Sequence, residues 1–296
     1  MRVTENIKFS EMRFHIQKNM QRYFEANEKL VSGKKVSRPS DDPAAIKELL
    51  NLRNLEASLE QYGTNIDRAA HRLKTYDLFL ERATGLLSKA KSVAILDPRS
   101  ANSDTRDIAA VQVSGILDEM LSIANSKVDG KYLFSGFKTT TPPFDPADVT
   151  FTYNGDTGSV RTAVDESRKM VVNFTGDVVF KGAGGGVDIF SELDALKTAL
   201  ENDDVAAISS AIATLDAARD QVVEARAETG VRLSELDVKS EDMKNFKNNV
   251  LNRISGVEDV DIAEAVMEMT QMQNAYEVTL NASAKFMQTS LMDFLR

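Results

Sequence analysis

Cysteine is absent from this chain, and so is tryptophan. The first absence excludes disulfides, thiolate metal sites and a cysteine nucleophile together, while leaving the redox compartment open. Histidine is scarce: His15 and His71 both fall on helical patterns, with no second ligand-type residue at useful spacing. A Ser-His-Asp arrangement needs a base oriented by a third group, and nothing in the pattern marks one. Both histidines therefore read as ordinary surface or interface residues. Long apolar runs are missing too. No window approaches 18 continuous apolar residues, and the opening MRVTENIKFSEMRFHIQ lacks the apolar core of a signal peptide. The expectation is a chain with no membrane partner, cytoplasmic or exported without a cleaved signal.

A surplus of positive charge is also lacking. The net charge of −9 argues against a nucleic-acid partner. Its distribution is uneven: residues 1–40 hold nine Lys/Arg against four Asp/Glu, and residues 257–296 hold two against seven. Ends of opposite sign are suited to lie side by side. Apolar residues make up 42% of the 296, enough for a core.

The strongest pattern is at the C-terminal end. Ile262, Val266, Met269, Gln273, Tyr276, Leu280, Ser283, Met287, Ser290 and Phe294 alternate steps of four and three, a coiled-coil register. A second row (Ala265, Met272, Thr279, Phe286), with Leu291 and Leu295, widens the apolar face beyond a two-helix seam. Phe9, Met12, Ile16, Met20, Tyr23, Ala26 and Leu30 form a matching N-terminal helix. An apolar surface this large needs partners. The expected subunit interface is Phe9, Met12, Ile16, Met20, Tyr23, Leu30, Ile262, Val266, Met269, Met272, Tyr276, Leu280, Phe286, Met287, Leu291 and Phe294.

Between the ends the chain is nested. Gly33 is a helix stop, and Asp42 followed by Pro43 is a cap and first-turn signature. Lys34, Lys35 and Arg38 read as a solvated turn. A long helix runs from Ala44 to about Leu96 and is broken by Asp97-Pro98. A third, capped by Ser103 or Asp104, carries Ile108, Val111, Gly115, Met120 and Ile123 to near Asp129-Gly130. Then the period drops to two. FTYNGDTGSVRTAV reads as a hairpin turning within Asn154 to Ser159, and KMVVNFTGDVVF as one or two strands. Gly182, Gly184, Gly185 and Gly186 lack a following GK[ST] and read as a flexible linker. Ile189, Leu193, Leu196 and Leu200 mark a short helix. A long one follows from Asp203 to about Val250, and a loop around Gly256 leads to the tail.

The expected fold is mainly α: a long antiparallel helical bundle or coiled coil with nested N- and C-terminal halves and a small inserted β domain. Its parts are a terminal coiled-coil polymerisation domain (1–42 and 251–296), a helical rod domain (43–131 and 187–250) and an outward-facing β insertion (132–186). Deleting 132–186 is expected to leave assembly possible. Carboxylate pairs such as Asp216/Asp220 read as wet surface, and long helices offer no obvious pocket. No catalytic residue, cofactor or metal ligand is expected, and the sequons at Asn173 and Asn281 are short enough to be chance.

Three stretches resemble the flagellin superfamily: LVSGKKVSRPSDDPAAI, ARAETGVRLSELD and the tail from Asp261. The first matches the turn after the family's first helix through Ser32, Gly33, Arg38, Pro39, Ser40, Asp41, Asp42 and Pro43. MRVTENIKFSEM, DGKYLFSGFKTTTPPFD, YNGDTGSVRTAVDESRKMVVNFTGD and the ending MDFLR resemble members that sit between hook and filament, with filament flagellin the alternative and a membrane-active secreted bundle a remoter one. The resemblance implies a structural subunit exported unfolded and assembled as a homo-oligomer in a tubular lattice. It implies a hook-associated protein and flagellin as neighbours, and a cytoplasmic export chaperone on the C-terminal helix.

Overall fold

The computed structural model describes the backbone of residues 2–96 and 103–294, and the side chains of Ile7, 9–95 and 105–285. Among these, helices are α1 (Arg2–Ser32), α2 (Pro43–Leu96), α3 (Ser103–Ala124), α4 (Gly176–Val179), α5 (Ile189–Glu201), α6 (Val205–Glu258) and α7 (Ile262–Phe294). The strands are β1 (Lys127–Val128), β2 (Lys131–Tyr132), β3 (Arg161–Ala163) and β4 (Lys169–Val171). They form two separate antiparallel pairs, β1 with β2 and β3 with β4. The mainly α, nested architecture with a small β region is therefore as the pattern predicts. The chain divides into two compact units, residues 1–58 with 246–296, and residues 59–245.

Local chemistry accounts for the helix ends. Gly33 adopts φ +70° and returns its N–H to the Lys29 carbonyl at 2.9 Å, the left-handed stop that glycine takes without a Cβ penalty. Asp42 caps α2 by accepting from the Ala44 and Ala45 N–H groups at 2.9 and 3.0 Å, with Pro43 in the first turn. Asp204 caps α6 the same way, at 3.0 Å from both Ala206 and Ala207. Asp203, where the pattern starts that helix, instead sits in a left-handed turn at φ +57°. Asp261 caps α7 through Ala263 N–H at 2.8 Å. The loop expected around Gly256 is absent, because α6 continues through it to Glu258. A helical glycine costs only about 1 kcal/mol, and that is too little to end a helix by itself. The break at Asp97-Pro98 and the Ser103/Asp104 cap lie outside the described residues.

In the unit of residues 59–245, α2 and α6 run antiparallel and are tied by Lys91–Asp216 at 2.6 Å and Arg226–Asp77 at 3.0 Å. The predicted α6 face is the buried one at Ile208, Leu215, Ala218, Val222, Thr229 and Leu236, although Val205 stays 43% exposed. On α3 the reading holds at Met120 and Ile123, both buried, and fails nearer the start of the helix. Ile108 and Val111 are exposed at 59% and 73%, while Ala109, Ala110, Val113, Ile116 and Leu117 face the core. Small alanines there allow close approach to α5, whose Ile189, Leu193, Leu196 and Leu200 are all fully buried.

The β region departs most from expectation. It begins earlier, with Asp129-Gly130 as a two-residue hairpin turn (φ +52° and +75°) and not a helix end. The second hairpin turns at Asp165–Ser167, not within Asn154 to Ser159: Asp165 accepts from the Ser167 and Arg168 N–H groups at 2.9 and 2.7 Å. Residues 154–159 are instead held to a distant segment, because Asp156 accepts from Phe137 N–H and Gly158 N–H, each at 2.8 Å. Only Lys169–Val171 of KMVVNFTGDVVF is strand. Gly176–Val179 forms α4, placing neighbours Val179 and Phe180 both inside, which strand alternation forbids. The glycine run is an ordered turn, not a linker. Gly182, Gly184 and Gly185 have positive φ, Gly186 N–H bonds the Gly182 carbonyl at 2.8 Å, and Gln221 accepts from Val187 N–H at 2.8 Å.

Strands and helices share one core. The Tyr76 hydroxyl donates to the Leu133 carbonyl at 2.5 Å, and its ring meets Phe134 edge-on at 5.3 Å. Phe134–Phe180 (5.1 Å) and Phe144–Phe190 (4.8 Å) extend the aromatic contact from the inserted segment to α5. Such pairs add about 0.5–1.5 kcal/mol each beyond area burial. Asn173, one of the two sequons, is only 5% exposed and bonds Val160 N–H and the Gly158 carbonyl.

Candidate assembly surface

The unit formed by residues 1–58 and 246–296 brings together the two amphipathic ends. α1 and α7 pack antiparallel. Asn19 Nδ2 donates to Thr279 Oγ1 at 2.7 Å, the Tyr23 and Tyr276 rings stack at 6.5 Å, and Lys29 meets Glu268 at 3.3 Å. The complementary charges of the two ends thus lie across this pair, though half-exposed ion pairs of this kind add little.

Below it sits a clamp that the sequence reading missed. Glu258, the last residue of α6, is 6% exposed and pairs with both Lys34 and Arg53; the Arg53 guanidinium lies 2.7 and 2.9 Å from its two oxygens. Burial by itself would raise the Glu258 carboxyl, but hydrogen bonds from Lys34 and Arg53 outweigh it and hold it below the usual glutamate range. The same residue's carbonyl accepts from Lys35 N–H at 2.8 Å, Val260 N–H bonds the Gly33 carbonyl at 2.9 Å, and Lys35 Nζ reaches the Gly256 carbonyl at 2.8 Å. Lys34, Lys35 and Arg38 are therefore not a merely solvated turn; Arg38 pairs with Glu28. Asp41 closes the turn, and the Arg38 and Ser37 N–H groups it accepts hold its carboxyl low. Ser32 Oγ bonds the Lys29 carbonyl, while Pro39 and Ser40 stay exposed. Ala26, Val36, Leu49, Leu52, Val250 and Ala265 are buried in this unit.

The α1–α7 pair is only partly dry. The line docked on α1 is mostly the second row of the tail, with Ala265 buried and Met272 and Thr279 half-buried, joined by the buried Ser283 of the first row. Small residues there let the helix backbones approach. The rest of the first row is turned aside, so Met269 and Tyr276 are half-buried while Ile262 (56%), Val266 (43%) and Leu280 (40%) face outward. On α1, Met12, Ile16, Tyr23 and Leu30 are half-buried, and Phe9 and Met20 exposed. The side chains of Phe286, Met287, Leu291 and Phe294 lie outside the described residues. Residues absent from the predicted interface enlarge the open surface: Phe14, Phe24, Val31, Met267 and Val278 are each more than half exposed. At 3.6 residues per turn, Phe9, Met20, Phe24 and Val31 share one flank of α1, and Ile262, Val266 and Leu280 one flank of α7. Phe14, Phe24, Val31, Met267 and Val278 fall outside the four-three register, and only a search for a second stripe would have found them. His15 lies on α1 with its ring 5.7 Å from Phe14, and His71 is exposed on α2. Among the described residues no helix is long and apolar enough to cross a membrane.

Two family models match the chain: the bacterial flagellin N-terminal helical region over residues 3–139, and its C-terminal helical region over 212–295. Flagellar hook-associated protein 3 of Salmonella typhimurium is 28% identical over 304 residues, covering 94% of this chain and 95% of that protein. Flagellin of Bacillus subtilis is similar at 24% over 264 residues, covering 86% and 84%. Among solved structures, the flagellar junction protein FlgL of Legionella pneumophila has the same fold, with a TM-score of 0.59 at 18% identity over 73% of this chain and all of that one.

Proposed function

This chain belongs to the bacterial flagellin family, and from that membership we propose that it is the structural subunit of the layer joining hook to filament. The higher identity and fuller coverage toward hook-associated protein 3, set against flagellin, support the junction over the filament itself. The observation that carries the reading is the apolar surface left open on both flanks of the α1–α7 pair. Each such side chain is worth about 1.5–3 kcal/mol if fully covered, and a solitary molecule has nothing with which to cover it. Copies of this chain in a tubular lattice supply the cover laterally. A hook-associated protein and flagellin supply it above and below. Before assembly a cytoplasmic chaperone shields the C-terminal helix during export without a cleaved signal. The role is architectural and needs no catalysis or cofactor. In this scheme the terminal pair polymerises, the helical middle spaces the lattice, and residues 132–186 face outward.

The test uses Val266→Asp combined with Leu280→Asp. Both side chains are exposed in the single chain, so its helix content and melting should not change. A strain lacking the chain and complemented with the variant should then bear hooks without filaments in electron micrographs. Normal filaments on a correctly folded, exported variant would refute the proposal.

A further inference from the structure

The unit of residues 59–245 contains a cavity of about 540 Å³ between α2 and the two hairpins. That is within the range of small-molecule sites, about 300–1,000 Å³. Three permanent cations line it (Arg68 and Arg72 from α2, Lys131 from β2) against a single lining carboxylate, Asp129. Several arginines elsewhere in this unit are matched with acids (Arg106 with Asp203, Arg168 with Glu235, Arg226 with Asp77, Arg232 with Glu228), while Arg82 lies over the Phe79 ring. Among the described residues, Arg68, Arg72 and Lys131 take part in no such pair. Arg72 is the most enclosed of the three. Its Nε–H is shut off from solvent and has no acceptor. The same guanidinium hydrogen-bonds the Tyr76 side chain, which fixes its positive charge at the cavity wall.

The remaining walls mix apolar and aromatic side chains (Leu133, Val160, Val172 and Tyr132, whose ring carries Lys127 at 4.4 Å) with the polar Thr75, Thr139, Thr162 and His71. We propose that this cavity binds a small organic oxyanion, a carboxylate or phosphate carried on a compact body such as a sugar ring. The guanidinium forks of Arg68 and Arg72 match the planar oxygens of such a group, Lys131 adds a mobile point charge, and the walls cover the body. A bare inorganic ion would leave most of the volume unfilled. The site lies within the unit of residues 59–245 and does not rest on the assembly role.

Isothermal titration of the full chain, at fixed ionic strength, tests this with glucose 6-phosphate, glucuronate, inorganic phosphate and glucose. Glucose 6-phosphate or glucuronate should bind with a dissociation constant of about 1 mM or tighter, and glucose and inorganic phosphate at least about tenfold more weakly. Arg68→Gln and Lys131→Gln alter exposed side chains, so they should weaken binding by about fivefold or more with melting unchanged. Arg72→Lys keeps the charge and removes the planar guanidinium fork, and should weaken it by about tenfold. The proposal is overturned if neither organic anion binds at 10-fold that concentration. It is equally overturned if glucose or inorganic phosphate binds as tightly, or if the Arg68 and Lys131 variants bind like the parent.

Discussion

Replacing Glu258 by alanine should open the junction between α6 and the turn after α1 while leaving the rest of the chain folded. The side chain is 6% exposed and receives one lysine and a two-pronged arginine. Hydrogen bonds to a charged group contribute about 1.5–3 kcal/mol each. Lys34 and Arg53 are 42% and 50% exposed and would regain water, so the net loss should be nearer 2 kcal/mol than the 3–5 kcal/mol of breaking a fully buried pair. Amide exchange reads this locally. Lys35 N–H bonds the Glu258 carbonyl and Val260 N–H bonds the Gly33 carbonyl, so both report the clamp. A loss of about 2 kcal/mol is roughly a 30-fold fall in their protection. A cycle with Arg53→Ala should show the two changes to be strongly non-additive. Acid should imitate the mutation. The folded Glu258 carboxyl lies below its unfolded value, so its contribution is complete above an ordinary glutamate pKa, about 4.3. It is lost as pH falls through the lower folded value. Unchanged protection at Lys35 and Val260 in the variant, or at low pH, would refute the reasoning.

Gly33→Ala should destabilise the same unit by about 1–2 kcal/mol through backbone strain alone, since φ is +70° and nothing lies within 4 Å of the added Cβ. A urea titration followed by circular dichroism measures it, and a neutral result would mean the turn relaxes to another stop. Deleting residues 132–186, which the pattern treats as dispensable for assembly, should instead abolish cooperative unfolding of the unit of residues 59–245. The deletion removes the fully buried Phe134, Phe144 and Phe180 and uncovers Tyr76 and Phe190. A sharp calorimetric transition in the deleted chain would contradict this.

What the sequence determined by itself is whatever depends on neighbours three or four residues away. Gly33, Asp42-Pro43 and Asp261 set helix ends through their own backbones, and the 3.6-residue rhythm placed α1, α2, α5, α6 and α7 and most of their inward faces. Tertiary structure decided what depends on distant residues. Asp156 pairs with the Phe137 amide instead of closing the turn that Asn154-Gly155 suggests. Val179 and Phe180 enter the core together and convert a promising strand into α4. The glycine run is ordered because Gln221, 34 residues beyond Val187, holds it. Which of the two tail rows meets α1 was likewise undetermined by periodicity, since both are apolar. The close approach over Ala265 and Thr279 chose the smaller side chains and turned Ile262, Val266 and Leu280 outward, because two helices can cover only one side of each other.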